Sequence, residues 1–251
     1  MRTFWILWKR ECATYFRTPL ALVLLVAVLF LTGFNFYAGV NLLNHGVANV
    51  SIVEMFFNTP FFWGTLLALC PLITMRLFAE EYRMGTIETL MTAPVRDTQV
   101  VLAKFFGAFF LFVLLWSPSL LYFVLFWPSA HQIAAAGYGA YEGAYGMLFL
   151  QGLFYLALGC LASVLTSHQL IAGIISFCVI TVIFFSGMLS SLIGLTSPLL
   201  HELIGLFSPM ESMKTFSRGL IDTRPIIFYL SMTGYVLFLT LQVFQSRKWR
   251  R

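Results

Sequence analysis

Charged residues are missing from five long stretches of the chain. No Asp, Glu, Lys or Arg occurs in residues 18–53, 55–75, 105–141, 143–201 and 225–246. A helix that crosses the hydrocarbon core of a bilayer needs about 20 apolar residues. The polar run Thr166–Gln169 divides the fourth stretch into two such helices. The pattern therefore predicts six membrane spans, near residues 19–43, 57–78, 100–127, 147–166, 170–192 and 225–245.

Composition supports the same fold class. The chain has 251 residues, of which 60% are hydrophobic and only 10% are charged, and its mean hydropathy is +0.88. A water-soluble domain of this length would need more charged residues to cover its surface. Long apolar runs without alternation cross a membrane as helices, because a bilayer leaves no water for unpaired backbone groups. We expect an all-α integral membrane protein with a single transmembrane domain.

Residues 1–18 predict an amphipathic helix that lies in the membrane surface. At 100° per residue, cations and apolar residues fall on opposite faces, as in interfacial helices. Ile6 and Glu11 do not fit this division, and Pro19 is suited to begin the first span because its missing N–H costs nothing there. The apolar face consists of Met1, Phe4, Trp5, Leu7, Trp8, Cys12, Tyr15 and Phe16, and the cationic face of Arg2, Lys9, Arg10 and Arg17.

The distribution of cations predicts the orientation. Twelve of the 15 Lys and Arg residues lie before span 1, between spans 2 and 3, or after span 6, and none lies in residues 44–56 or 128–146. Cytoplasmic loops hold the excess of Lys and Arg, so both termini are expected in the cytoplasm. The three cations in residues 193–224 run against the rule. The net charge of +5 thus reflects topology, and no nucleic-acid partner is expected.

Two segments on the far side are longer than turns. Residues 128–146 contain a repeat of small and aromatic residues, which is consistent with a flexible loop or a lid and which we interpret as a loop. Residues 193–224 remain fairly apolar, but an apolar stretch of about ten residues is too short to cross as a seventh span, so they predict an external re-entrant or interfacial segment. Pro198 and Pro209 bracket its candidate short helix.

The spans offer little for catalysis or ion coupling. Their predicted interiors contain no Asp, Glu, Lys or Arg, whereas ion-coupled carriers use buried ionisable groups. An intramembrane serine protease would need a Gly-x-Ser-Gly turn, and the nearest match at Phe184–Gly187 lacks the first glycine. No metal site is expected, since the His and Cys residues are scattered. A P-loop is excluded because no lysine follows a glycine. Active transport would therefore draw its energy from another subunit.

The segment between spans 2 and 3, residues 79–98, carries the densest pattern. Gly85 is suited to end a helix, Thr86 to cap a new one, and Pro94 to prevent its continuation. Asp97 can cap the helix that enters span 3. The pattern predicts a short helix parallel to the membrane, with Glu88 beside apolar residues. These residues alone are equally consistent with a docking surface and with a solvated turn.

A resemblance favours the docking surface. Ala79-Glu80-Glu81, Gly85-Thr86-Ile87-Glu88, Leu90-Met91 and Ala93-Pro94-Val95 resemble the coupling-helix signature of ABC-2 type transporter permeases. Lys9-Arg10-Glu11, Tyr15-Phe16 and Pro19 resemble that family's amphipathic N-terminal helix and the start of its first span. The resemblance covers the whole chain, although its specific residues lie in the first 97. Within the family, the chain looks most like permeases of the gliding-motility-associated and nitrous-oxide-reductase-maturation type.

The resemblance implies the ABC-2, or type V exporter, permease architecture in a bacterial inner membrane. Separate ABC ATPase subunits would bind ATP and Mg and would dock on the coupling helix, so no cofactor is expected in this chain and ATP hydrolysis is expected elsewhere. A second permease chain, membrane lipid and a periplasmic or auxiliary membrane protein are further expected partners. The alternative is a module that passes ATPase movement to periplasmic partners without moving a solute. The implied docking residues are Glu80, Glu81, Arg83, Gly85, Thr86, Ile87, Glu88, Leu90 and Pro94, and Arg10 and Glu11 would steady the same junction.

Overall fold

A computed structural model describes residues 2–44, 51–86, 95–130, 138–193 and 208–249. Within these ranges the chain is helical, in the order α1 (Arg2–Arg17), α2 (Pro19–Asn44), α3 (Ile52–Phe57), α4 (Pro60–Thr74), α5 (Ala79–Met84), α6 (Asp97–Trp116), α7 (Ser119–Ala130), α8 (Tyr138–Leu165), α9 (Gln169–Ile193), α10 (Pro209–Ser217) and α11 (Thr223–Trp249).

Six stretches of helix are long and apolar enough to cross a membrane, which confirms the predicted all-helical fold with six spans. The second span comprises α4, a turn at residues 75–78 and α5, and the third comprises α6 and the first half of α7. These stretches are Pro19–Leu43, Pro60–Met84, Asp97–Val124, Gly139–Leu165, Gln169–Gly187 and Thr223–Ser246. The chain is therefore a multi-pass membrane protein.

Helix α8 lies at the centre of the bundle. It packs against α4, α6, α9, α10 and α11, and about two thirds of its most apolar part is buried. Two of its glycines let neighbouring helices come close. A Cβ on Gly143 would lie 2.6 Å from the Phe216 carbonyl oxygen, and one on Gly159 would overlap the Thr74 side chain. Helices α2, α9 and α11 lie at the periphery, where less than a third of the most apolar part of each is buried.

The structure corrects the interpretation of residues 128–146 as a loop, because residues 138–146 form the first turns of α8. Glycine disfavours a helix interior in isolation. Here the glycines allow close contact with α10, and this tertiary packing outweighs propensity. The structure also places a short helix, α3, in the segment between the first two spans.

The ends of the bundle differ in their polar contacts. The end that carries α1, α5 and the start of α6 is called the terminal end. At the opposite end, Arg218 forms an ion pair with Glu54 on α3 at 2.7 Å (Nη2 to Oε1). The Asn35 amide on α2 donates to the Phe56 carbonyl at 2.9 Å, and the Thr59 hydroxyl donates to Asn35 Oδ1 at 2.7 Å. These bonds tie α2, α3 and α4 to the segment after α10.

Candidate functional site

Helix α1 lies along α6 at the terminal end. Phe4 makes an edge contact with Phe106 at 6.3 Å between ring centroids, and Trp8 makes one with Phe110 at 5.6 Å. The same face of α1 continues through Glu11 and Tyr15, in the steps of three or four residues that align side chains on a helix. Part of the predicted apolar face therefore binds protein, and part stays exposed, as Trp5 does at 55%.

This packing explains why Glu11 does not fit the amphipathic pattern. Glu11 is only 9% exposed and faces α6 with the aromatic residues. Gly107 on α6 makes room for it, since a Cβ at Gly107 would lie 3.1 Å from the Glu11 Cβ. A carboxylate in this position needs a cationic partner, because an unpaired buried charge costs several kcal/mol.

The partner is Lys104, one turn before Gly107 on α6. Its ammonium group, on a residue that is 3% exposed, lies 2.8 Å from Glu81 Oε1 and 3.3 Å from Glu11 Oε1. Arg10 Nη2 lies 3.4 Å from Glu11 Oε1 and 3.6 Å from Glu81 Oε1. We call Arg10, Glu11, Glu81 and Lys104 the ion cluster.

The ion cluster joins three helices at one point. Arg10 and Glu11 belong to α1, Glu81 to α5 and Lys104 to α6. Its two cations and two carboxylates sum to zero charge, so the group is neutral as a whole. The Phe78 ring, 5.4 Å from the Lys104 ammonium, adds a cation–π contact from the turn before α5. A neutral, well-connected group of charges can be buried, whereas any single member could not.

A second contact holds the start of α5 to α8. The Ser163 hydroxyl on α8 accepts hydrogen bonds from the backbone N–H groups of Phe78 at 3.0 Å and Ala79 at 3.2 Å. Both residues are fully buried, so these N–H groups depend on a protein acceptor. Helix α5 is thus attached to α8 at its start and to α1 and α6 through Glu81.

Helix α5 ends where the sequence predicts. Gly85 adopts a left-handed conformation (φ +72°), which glycine accepts without steric cost. Arg83, Met84 and Thr86 around it are exposed. Asp97, however, is the first residue of α6 and not its cap: the cap position is Arg96, whose side chain makes no capping bond.

The predicted site residues fall into three groups. Arg10, Glu11 and Glu81 meet in the ion cluster; Glu80, Arg83, Gly85 and Thr86 lie nearby on α5 or just after it. The third group, Ile87, Glu88, Leu90 and Pro94, lies outside the described residues.

Sequence reasoning missed Lys104, because it was counted as a cation flanking span 3. The expectation that the span interiors hold no charge is wrong at this point, since α6 already begins at Asp97 and buries Lys104. The signal was available: Lys104 stands in an otherwise apolar helix, and Glu11 is an acid on a face of aromatic residues. Two residues of opposite charge, each on an otherwise apolar helix face, indicate a buried ion pair.

A cavity of about 710 Å³ lies beside the ion cluster, between α1, the start of α2 and the segment from Arg76 to Thr86. Both charged and apolar side chains line this cavity.

A known protein family matches the part of the chain that contains the ion cluster. The family described as ABC-2 family transporter protein matches residues 8–183, about 70% of the chain. The match includes most of α1, the ion cluster, α5, the first four spans and most of the fifth. Comparison with curated proteins gives no match. On the family match and the six-span fold, the chain belongs to the ABC-2 transporter family.

Proposed function

We propose that this chain is the permease subunit of an ATP-binding cassette exporter and that its ATPase subunits dock on residues 79–94. Membership of the ABC-2 family implies a membrane transport component that works with ABC ATPase subunits. ATP and Mg would then be bound on the ATPase. Two parts of the proposal go beyond family membership. They are export as the direction of transport and residues 79–94 as the docking segment.

One observation carries the docking site: the ion cluster stands directly behind the exposed end of α5. A partner that pushes on Arg83, Met84 or Thr86 acts on a helix of only six residues. That helix cannot move alone, because Glu81 is held by Lys104 on α6 and by Arg10 on α1. The start of α5 is held in the same way by Ser163 on α8. Movement imposed at this surface would reach three helices.

The proposed setting is a bacterial inner membrane with the terminal end in the cytoplasm. Twelve of the 15 Lys and Arg residues belong to the sequence segments before span 1, between spans 2 and 3 and after span 6, and cytoplasmic flanks hold the excess of Lys and Arg. A second permease chain, the same or related, would pack on the peripheral helices. The narrower likeness to gliding-motility-associated and nitrous-oxide-reductase-maturation permeases remains a prediction.

The docking proposal is tested by co-purification. The full chain is produced with its ATPase, and Arg83→Glu and Glu88→Ala are compared with Lys214→Glu, which reverses an exposed cation on α10 at the opposite end. We expect the two terminal-end variants to lose the ATPase or lower its turnover, because Arg83→Glu reverses a charge of the proposed contact surface and Glu88→Ala removes one. The α10 variant should behave as wild type. Unchanged capture and unchanged turnover in both terminal-end variants would contradict the proposal.

A second candidate function is transmission of force to periplasmic partners without transport. It is favoured by the course of α8, which meets α5 at Ser163 and packs under α10 at Gly143. These positions are 20 residues apart, or about 30 Å along one helix. A transport assay in sealed vesicles separates the candidates: ATP consumption with accumulation of solute supports export, and consumption without it supports transmission.

A further inference from the structure

The second span is broken between α4 and α5, because residues 75–78 form a turn instead of continuing the helix. In a continuous helix, the Ala79 N–H would donate to the Met75 carbonyl four residues earlier. The Ser163 hydroxyl of α8 lies between these two groups: it accepts from the Ala79 N–H at 3.2 Å and donates to the Met75 carbonyl at 3.5 Å. A side chain has therefore entered the hydrogen-bond ladder of the span, which is a known cause of helix kinks.

A single hydroxyl supplies all three hydrogen bonds at this break. Ser163 Oγ also accepts from the Phe78 N–H at 3.0 Å, so it uses both lone pairs and its one proton. Phe78 is the cap position of α5, and a phenylalanine side chain has no hydrogen-bonding group. The start of α5 is thus capped by another helix. Without Ser163, the acceptors that a helix offers to these N–H groups are carbonyls of its own span, four residues earlier.

The packing of α4 on α8 brings Ser163 within reach of the break. A Cβ on Gly159, one turn before Ser163, would overlap the Thr74 side chain, so the two helices approach closely there. Pro71 lies inside α4 and has no N–H for the Leu67 carbonyl, which weakens the helix one turn before the break. The sequence therefore favours the break from both sides, through a proline in the span and a glycine in its neighbour.

The ion cluster favours the same broken form. Glu81 lies in the first turn of α5 and reaches the Lys104 ammonium at 2.8 Å. The turn at residues 75–78 includes a tight bond from the Leu77 N–H to the Thr74 carbonyl, three residues earlier, at 3.1 Å. Such turns have 3.0 residues per turn, whereas an α-helix has 3.6. Closing the break would therefore rotate α5 about its axis and carry Glu81 away from Lys104.

We propose that the second span exchanges between this broken form and a continuous helix, with Ser163 as the switch. In the continuous form, the Phe78 and Ala79 N–H groups bond to carbonyls of their own span, and α5 takes a new direction relative to α4. Ser163 and the contact between Lys104 and Glu81 keep the broken form as the main one. The exchange is a property of the chain alone. Its use, as the movement that a docked ATPase imposes on α5, rests on the function proposed above.

Pulsed electron paramagnetic resonance on the full chain in lipid nanodiscs, without an ATPase, tests the exchange. Spin-labelled unnatural amino acids replace Ala68 on α4 and Met84 on α5, both of which are exposed. A continuous helix places these two backbone positions about 24 Å apart. We expect two distances, a main one for the broken form and a minor one for the continuous helix. Ser163→Ala should raise the ratio of the minor to the main form about tenfold, because it removes bonds that only the broken form makes.

Three further variants make the result specific. Lys104→Met should shift the ratio in the same direction, because it releases Glu81. Ser163→Cys keeps the size of the side chain but accepts only weakly, so it should give an intermediate ratio. Ser119→Ala removes a similarly buried hydroxyl from α7 and should leave both distances as in the parent chain. Thermal unfolding shows which variants are folded, and Ser163→Cys and Lys104→Met carry the test if Ser163→Ala is not.

One unchanged distance in the parent chain and in the folded Ser163 and Lys104 variants would overturn the exchange. A shift in Ser119→Ala as large as that in the Ser163 variants would overturn the role of Ser163. Because the measurement uses no ATPase, a failure of the docking proposal leaves its result unchanged, and a failure of the exchange leaves docking intact.

Discussion

Replacement of Lys104 by methionine tests whether the ion cluster holds the terminal end together. Methionine has nearly the same length and shape but no charge, so it fills the space and removes only the ammonium group. Glu11 and Glu81 would then face each other with Arg10 as their remaining cation, at 3.4 Å and 3.6 Å. Both carboxylates are largely buried, so water can compensate only in part.

The burial of Lys104 sets the magnitude. Loss of one partner from a buried pair costs about 3–5 kcal/mol, whereas an exposed pair contributes about 0–1 kcal/mol. Lys104 is 3% exposed, and its ammonium lies within 3.3 Å of two carboxylates, so the range for a buried pair applies. A loss of about 3 kcal/mol lowers Tm by roughly 6–12 °C in a chain of this size.

The assay is thermal unfolding of the full chain in detergent, with Lys9→Met as the matched control. Lys9 lies on α1 and is exposed, so its loss should change stability by less than about 0.5 kcal/mol. A double-mutant cycle then adds Glu81→Gln to Lys104→Met. The double variant should be more stable than the sum of the single effects predicts, because removal of one carboxylate relieves the repulsion that Lys104→Met creates.

Two results would refute this reasoning. If Lys104→Met unfolds at the same temperature as Lys9→Met, the ammonium group does not contribute the stability that its burial and pairing predict. If the effects of Lys104→Met and Glu81→Gln are additive, the two residues do not interact, and α5 is held to α6 by other contacts.

Three further predictions concern other contacts of the bundle. Gly159→Ala should destabilise the chain by about 1–3 kcal/mol because its Cβ meets Thr74 on α4, whereas Gly146→Ala on the same helix meets open space and should stabilise it by about 0.5–1 kcal/mol; melting curves of the two variants should shift in opposite directions. Ser163→Ala should cost about 1–3 kcal/mol, since two buried N–H groups lose their acceptor, and hydrogen exchange at residues 78 and 79 should become faster. Arg218→Glu should lower Tm by repulsion from Glu54, and adding Glu54→Arg should restore part of the loss; failure of the exchanged pair to recover any stability would argue against a direct contact.

The spans were predictable because a bilayer imposes one simple condition, a long run without charge. The end of α5 was predictable for a similar reason, since Gly85 satisfies a local backbone requirement. The helix at residues 138–146 was not predictable from the sequence, because its glycines disfavour a helix in isolation. They are accommodated there because α10 packs closely against Gly143. Pairing of Lys104 with Glu11 and Glu81 depends on how α1 lies along α6. Periodicity within a single helix does not contain that information.

The central claim is that an ATPase binds the terminal end at the exposed end of α5. A photo-crosslinking residue in place of Met84, which is 59% exposed, tests it in the full chain produced with its ATPase. The same residue in place of Lys214 on α10 serves as the control for the opposite end. We predict that the ATPase is crosslinked from position 84 and not from position 214. Crosslinking from position 214, or from neither position while the complex remains intact, would contradict the claim.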